Sequence, residues 1–187
     1  YIVDISDGSL ITQEPFDTKT GKDEDPTGNN RPNGLAQPQP TDFTGNRIVD
    51  AIYVGDLFGN LWKIDVSANS PNSWGFSYTS GSGQNAVPLP IYTACAAAED
   101  VCGATNIQPI TTLVNVTSHP TKPGHLVTFG TGKYIEGGDD GDNMSSGQTT
   151  QSMYGIWDRG LQSYSSFDRD DLLQQEIIFE AAQHGEF

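Results

Sequence analysis

Short apolar runs broken by Gly, Asn, Asp and Pro dominate the chain, and apolar positions at helical spacing are nearly absent. Ile48-Val49 and Ala51-Ile52-Tyr53-Val54 predict a strand, and Gly59-Asn60 a turn. Leu61 to Val66 then returns with Trp62, Ile64 and Val66 on one face. His125-Leu126-Val127-Thr128-Phe129 predicts a further strand, with Met153-Tyr154-Gly155-Ile156-Trp157 as its partner. Tyr1-Ile2-Val3-Asp4-Ile5 reads as the middle of a strand and Glu176-Ile177-Ile178-Phe179 as another. Asp168 to Gln175 suits one or two helical turns, since Asp170 and Asp171 would sit at the positive N-terminal end. Two polar stretches read as solvated loops: Thr18 to Asn33, centred on Asp23-Glu24-Asp25, and the segment holding Asp139-Asp140-Gly141-Asp142-Asn143.

A weak repeat runs through these strands. Tyr1-Ile2-Val3-Asp4-Ile5-Ser6 matches Trp62-Lys63-Ile64-Asp65-Val66-Ser67 in residue type, and Tyr154-Gly155-Ile156-Trp157-Asp158 echoes it. Hairpins that end in a common strand signature point to β-propeller blades of roughly 40–50 residues each. The fold class is therefore all-β: a partial or modified β-propeller of antiparallel hairpin blades, with long polar loops and one short helix near the C-terminus.

Composition narrows the function. The 187 residues carry 24 acids against 9 lysines and arginines, a formal charge of -15 that repels nucleic acid and anionic membrane surfaces alike. Apolar residues make up 35%, enough for a core, while 21 glycines and 11 prolines fit short elements and many loops. No run approaches the ~18 apolar residues of a transmembrane helix. The chain carries no signal peptide and does not begin with Met, which suggests a piece of a longer, processed protein. Cys95 and Cys102, the only cysteines, cannot by themselves make a four-ligand zinc site. They read as a short disulfide clamping a loop in an oxidising compartment, or else as two unrelated buried thiols.

Five blocks, in order, carry a family resemblance: Asn33-Gly34-Leu35-Ala36-Gln37-Pro38; Ile52-Tyr53-Val54-Gly55-Asp56-Leu57-Phe58-Gly59-Asn60-Leu61-Trp62-Lys63-Ile64-Asp65; Gln108-Pro109-Ile110-Thr111-Thr112; Phe129-Gly130-Thr131-Gly132-Lys133-Tyr134; and Tyr154-Gly155-Ile156-Trp157-Asp158. Together they resemble the C-terminal β-propeller of the PilC/PilY family of type IV pilus biogenesis and tip-adhesin proteins. The resemblance implies that residues 1–187 are a single piece of such a propeller lacking upstream blades. No Arg-Gly-Asp tripeptide is present, so integrin binding is not carried over.

Asp42-Phe43-Thr44-Gly45-Asn46-Arg47-Ile48-Val49-Asp50 places oxygen-bearing side chains at loop positions 1, 3, 5 and 9. Asp42, Thr44, Asn46, the carbonyl of Ile48 and Asp50 would suit a hard cation; equally, such a loop can be a polar turn bonding its own backbone. The resemblance favours Ca2+, because the family carries a calcium loop here, typically richer in Asp and with Gly where Arg47 stands. With two carboxylates the affinity is expected in the weak, extracellular range of about 10⁻⁴–10⁻³ M.

Other chemistry finds little support. His119, His125 and His184 lack ligand spacing, no Gly-x-Ser-x-Gly occurs, and Phe129-Gly130-Thr131-Gly132-Lys133 lacks a phosphate loop's spacing and reads as a tight β-turn. Trp62, Trp74 and Trp157 read as packing residues. Asn115-Val116-Thr117 and Asn143-Met144-Ser145 fit the glycosylation sequon, a pattern that arises easily by chance. The resemblance implies a non-enzymatic module at the pilus tip or outer envelope, on the extracellular surface. Its expected partners are minor pilins or pilus tip proteins, a host or surface receptor, and missing blades or another subunit at exposed strand edges. The alternatives are a calcium-dependent carbohydrate-binding propeller and a quinoprotein-dehydrogenase-like propeller enzyme.

Overall fold

In the computed structural model the described residues are 1–12, 14–96, 102–103, 106–135, 150–160 and 168–175. The predicted strand Glu176–Phe179, the Asp139–Asn143 cluster, the Asn143 sequon and His184 lie outside them.

The apolar runs become strands in chain order: β1 Gln39–Thr41, β2 Ala51–Gly55, β3 Asn60–Asp65, β4 Gly75–Phe76, β5 Thr79–Ser80, β6 Val87–Pro88, β7 Tyr92–Thr93, β8 Asn115–Ser118, β9 His125–Gly130 and β10 Met153–Asp158. All the pairings between these strands are antiparallel. One sheet runs β1-β2-β3-β4, with β7 also on β3; a second runs β10-β9-β8; β5 and β6 form a small third. Among the described residues these sheets do not close on themselves, as expected of a partial propeller.

The two expected hairpins form, but the first turns over residues 56–59, with Asn60 already in β3, because the Asp56 N–H and carbonyl close the turn onto Asn60 and Gly59. Val54 faces Trp62 and Ile52 faces Ile64 across β2–β3, while Tyr154 faces Phe129 and Ile156 faces Val127 across β9–β10. The main core lies between these sheets: Tyr53 and Leu61 from the first meet Val127, Phe129, Tyr154 and Ile156 from the second. Trp62 and Ile64 bury on the other face of β3, so that strand is covered on both sides rather than on the one face its alternation predicts. The reason is a second layer, in which Phe76 packs edge-on against Trp62 and Phe16 against Phe76.

Other local expectations change in the folded chain. Tyr1–Ile5 is not a strand; it contributes one bridge, Val3 to Leu10, because the Asp4 carboxylate accepts the Ser6 N–H and turns the chain. Ile48 and Val49 are exposed and precede β2. Asp25 departs from its charged neighbours: it is buried, and Arg31 holds its carboxylate through both Nε and Nη2 at 3.1 Å. That guanidinium outweighs burial and keeps the Asp25 pKa well below the usual carboxylate range. Phe129–Lys133 is not a tight turn. Gly130 ends β9, and Gly132 bridges in parallel to Ile110. The helical segment near the C-terminus shortens to a single 3-10 turn, Arg169–Asp171, capped by Asp168.

The paired-thiol reading holds, with Cys95 and Cys102 joined in a disulfide. Among the described residues no helix is long and apolar enough to cross a membrane.

Candidate metal centre

The Asp42–Asp50 loop connects β1 to β2 and folds around the Asp42 carboxylate. Asp42 Oδ1 accepts the N–H of Thr44 at 3.0 Å and of Gly45 at 2.7 Å, and Oδ2 accepts that of Arg47 at 2.6 Å. The Thr44 hydroxyl lies 3.3 Å from the same Oδ1. Burial alone would raise the Asp42 pKa, but the N–H groups of Arg47, Gly45 and Thr44 together hold it below the ordinary value. The Asn46 side-chain oxygen accepts the Ile48 N–H at 2.8 Å, and Asp50 Oδ2 accepts the Phe43 N–H at 2.7 Å.

The loop thus draws its two carboxylates, an amide and a hydroxyl into one turn. Its sixth position, where an oxygen-cage loop needs a sharp bend, is Arg47 with φ of 71°. A non-glycine residue in that region costs about 1–2 kcal/mol, and the Arg47 N–H bond to Asp42 is what holds it there. All five expected ligands are hard oxygens, so in donor chemistry the loop fits Ca2+. The same bonds also make a self-sufficient polar turn. Among the described residues no three Asp, Glu, His or Cys side chains gather as a metal cluster.

The loop is exposed except where it touches the core. Phe43 turns inward, its ring stacked on His125 at 4.0 Å between centroids and edge-on to Tyr53 at 6.4 Å. Lys63 Nζ sits 5.6 Å from the Phe43 centroid and 2.7 Å from Asp158 Oδ2, which also accepts the Tyr53 hydroxyl at 2.6 Å. This buried group joins β2 and β3 of the first sheet to β10 of the second. Burial pushes the Asp158 pKa up, yet the Lys63 charge and hydrogen bond, with help from Tyr53 and the Gly160 N–H, bring it below the ordinary value.

The sequence blocks that carry the resemblance build the framework beneath this loop. Asp56, fully buried at the β2–β3 turn, accepts the N–H groups of Phe58 and Asn60, the side-chain amides of Asn60 and Asn33, and Trp62 Nε1. Gly59 has φ of 82°, and a Cβ there would stand 2.7 Å from the Ala94 carbonyl, so only glycine lets that segment approach. The Gln108–Thr112 and Phe129–Tyr134 blocks meet where Gly132 N–H reaches the Pro109 carbonyl and the Thr111 hydroxyl reaches the Gly132 carbonyl.

A second polar centre escaped sequence reasoning. Buried Gln108 pairs with the Tyr154 hydroxyl and with Ser152, while Arg169 Nη1 bonds Tyr154 at 2.6 Å and the Cys95 carbonyl at 3.1 Å. Its parts lie far apart in sequence, so only folding assembles it. A cleft of about 240 Å3 opens beside Thr20, Glu24, Phe58, Asn60, Trp62 and Thr93. Asn60 and Thr93 bond each other there, and Trp62 is 1% exposed, so it offers no aromatic face to a sugar.

Comparison with known proteins places this framework. The chain is 31% identical over 96% of its length to the type IV pilus biogenesis factor PilY1 of Pseudomonas aeruginosa, of which it covers 15%. It is 33% identical over 86% of its length to the PilY1 homolog of Xylella fastidiosa, of which it covers 10%. The crystal structure of the Pseudomonas aeruginosa PilY1 C-terminal domain superposes with a TM-score of 0.62 at 28% identity, covering 89% of this chain and 33% of that one. The chain thus spans a small part of the relatives it matches. A profile of the PilY1 beta-propeller domain matches residues 1–183, and with those residues the chain belongs to the PilY1 β-propeller family.

Proposed function

We propose that this chain is a non-enzymatic part of a type IV pilus assembly and adhesion protein, acting at the pilus tip or outer envelope. The observation that carries the reading is the match of nearly the whole chain to the PilY1 beta-propeller domain, with its sequence blocks building the β2–β3 turn and the contact between the Gln108–Thr112 and Phe129–Tyr134 segments. The disulfide supports an oxidising, extracytoplasmic location. Partners of matching chemistry are minor pilins or pilus tip proteins, a host or surface receptor, and further strands of the propeller at sheet edges.

In this reading the Asp42–Asp50 loop binds Ca2+ as a structural or regulatory switch. Asp42, Thr44, Asn46, the Ile48 carbonyl and Asp50 would hold the ion, which would supply the positive charge that ties two carboxylates together. Stabilisation follows RT ln(1 + [L]/Kd), so a site of about 10⁻⁴–10⁻³ M responds only to extracellular calcium. Calorimetry on wild type and Asp50→Ala tests the loop: saturable binding lost in the variant supports it, and no binding by folded wild type removes the switch. Piliation and adhesion of cells carrying Asp42→Ala and Asp50→Ala test the function. Unchanged phenotypes would leave calcium without a role in it.

A further inference from the structure

The calcium loop reaches the core through one side chain, and the hydrogen bonds around that residue have a consequence for the whole sheet junction. Phe43 lies between two expected ligands, Asp42 and Thr44, and donates its N–H to a third, Asp50 Oδ2. An ion drawing on Asp42 Oδ1 competes with the Thr44 and Gly45 N–H groups and the Thr44 hydroxyl that now crowd it, and one drawing on Asp50 Oδ2 shares that oxygen with the Phe43 N–H. Filling the loop therefore re-aims the backbone that carries Phe43.

The Phe43 ring has little freedom to absorb such a shift. It is stacked on His125 at 4.0 Å and set edge-on to Tyr53, with the Lys63 ammonium 5.6 Å from its centroid. His125 opens β9 and stands opposite Asp158 in the β9–β10 register, while Lys63 and Tyr53 bond the Asp158 carboxylate directly. Close-packed interiors have low compressibility and transmit strain.

We infer that Phe43 is the positioning residue that couples the Asp42–Asp50 loop to the junction between the two sheets. Occupancy of the loop is read at His125 and at the Lys63–Asp158 pair. The inference rests on the calcium reading above; its own content is the route from loop to junction.

The test is a calcium titration of the chain at constant near-neutral pH, following the imidazole resonances by NMR, with calorimetry on the same samples. His125→Gln assigns the His125 signal. His119 is the internal control, since its ring lies against Trp157, on the opposite face of β10 from Asp158. The His125 signal is expected to move with the calorimetric midpoint while His119 stays in place. Phe43→Leu should bind calcium within about threefold of wild type yet lose at least half of the His125 response. Phe43→Tyr, which keeps the ring, should retain the response, and thermal melts check that each variant folds. Calcium binding without movement of His125, or with equal movement in Phe43→Leu, overturns the coupling alone. Absence of calorimetric binding overturns the loop reading and the coupling with it.

Discussion

Two buried carboxylates, Asp56 in the first sheet and Asp158 in the second, meet the same problem with different partners. Asp56 is enclosed by neutral donors, two main-chain N–H groups, two side-chain amides and an indole, and burial still raises its pKa. Asp158 is nearly as buried, but it faces the Lys63 ammonium and its pKa falls. Dipoles satisfy a buried carboxylate without wholly repaying its lost hydration, whereas an adjacent full charge tips the balance. The difference extends to architecture. Four of the five Asp56 donors come from residues within six positions along the chain, while Lys63 and Tyr53 are 95 and 105 residues from Asp158.

Substitutions that exchange these solutions probe the contrast. The largest effect is expected from Asp56→Ala, which strands the Trp62 indole N–H and the Phe58 N–H in the interior. At about 1–3 kcal/mol for each orphaned donor plus the cavity, urea unfolding should show a loss on the order of 4–5 kcal/mol. A loss under about 1 kcal/mol would mean that water replaces the carboxylate and that its burial is only apparent.

Lys63→Met comes next. It leaves Asp158 buried without a counter-charge and should cost about 3–4 kcal/mol. The double variant Lys63→Met with Asp158→Leu should recover most of that loss, since two well-packed apolar side chains can replace a buried pair. A double variant no better than the single would show that the pair contributes net stability.

The smallest effect separates the two carboxylates by pH. The folded-state pKa of Asp158 lies below 3.8, so its contribution is present above that value and fades as pH falls through the folded pKa. In Lys63→Met the same carboxyl is pushed upward and that variant gains stability on acidification. The stability gap between wild type and Lys63→Met should therefore narrow from neutral pH toward pH about 3. Asp56 has the opposite sign: its raised pKa makes its ionisation a growing cost as pH rises past 3.8. A gap that stays constant with pH would show that Lys63 acts on Asp158 by packing and not by charge.

What was legible in the sequence follows the same division. Alternating apolar residues gave both hairpins, and the close spacing of Asp56, Gly59, Asn60 and Trp62 made the turn visible as one block. The Asp42–Asp50 loop was legible as a polar turn with ligand-like spacing, and the inward turn of Phe43 was not. Lys63 reads as an exposed position between Trp62 and Ile64, and nothing near it announces a buried ion pair. Tyr1–Ile5 shows the converse: its strand-like residues met an Asp-capped turn, and local side-chain bonding prevailed.

By itself, then, the sequence determined the all-β class, the two hairpins and the membership that its ordered blocks announce, and it offered the Cys95–Cys102 pairing as one of two readings, because each rests on residues close along the chain or on period-two alternation. Only the tertiary structure decided that β3 buries both faces, that Asp25 pairs with Arg31 inside, and that Lys63, Tyr53, Phe43 and His125 converge on Asp158. Those contacts join residues up to about a hundred positions apart, and their energy comes from desolvation that no local pattern encodes.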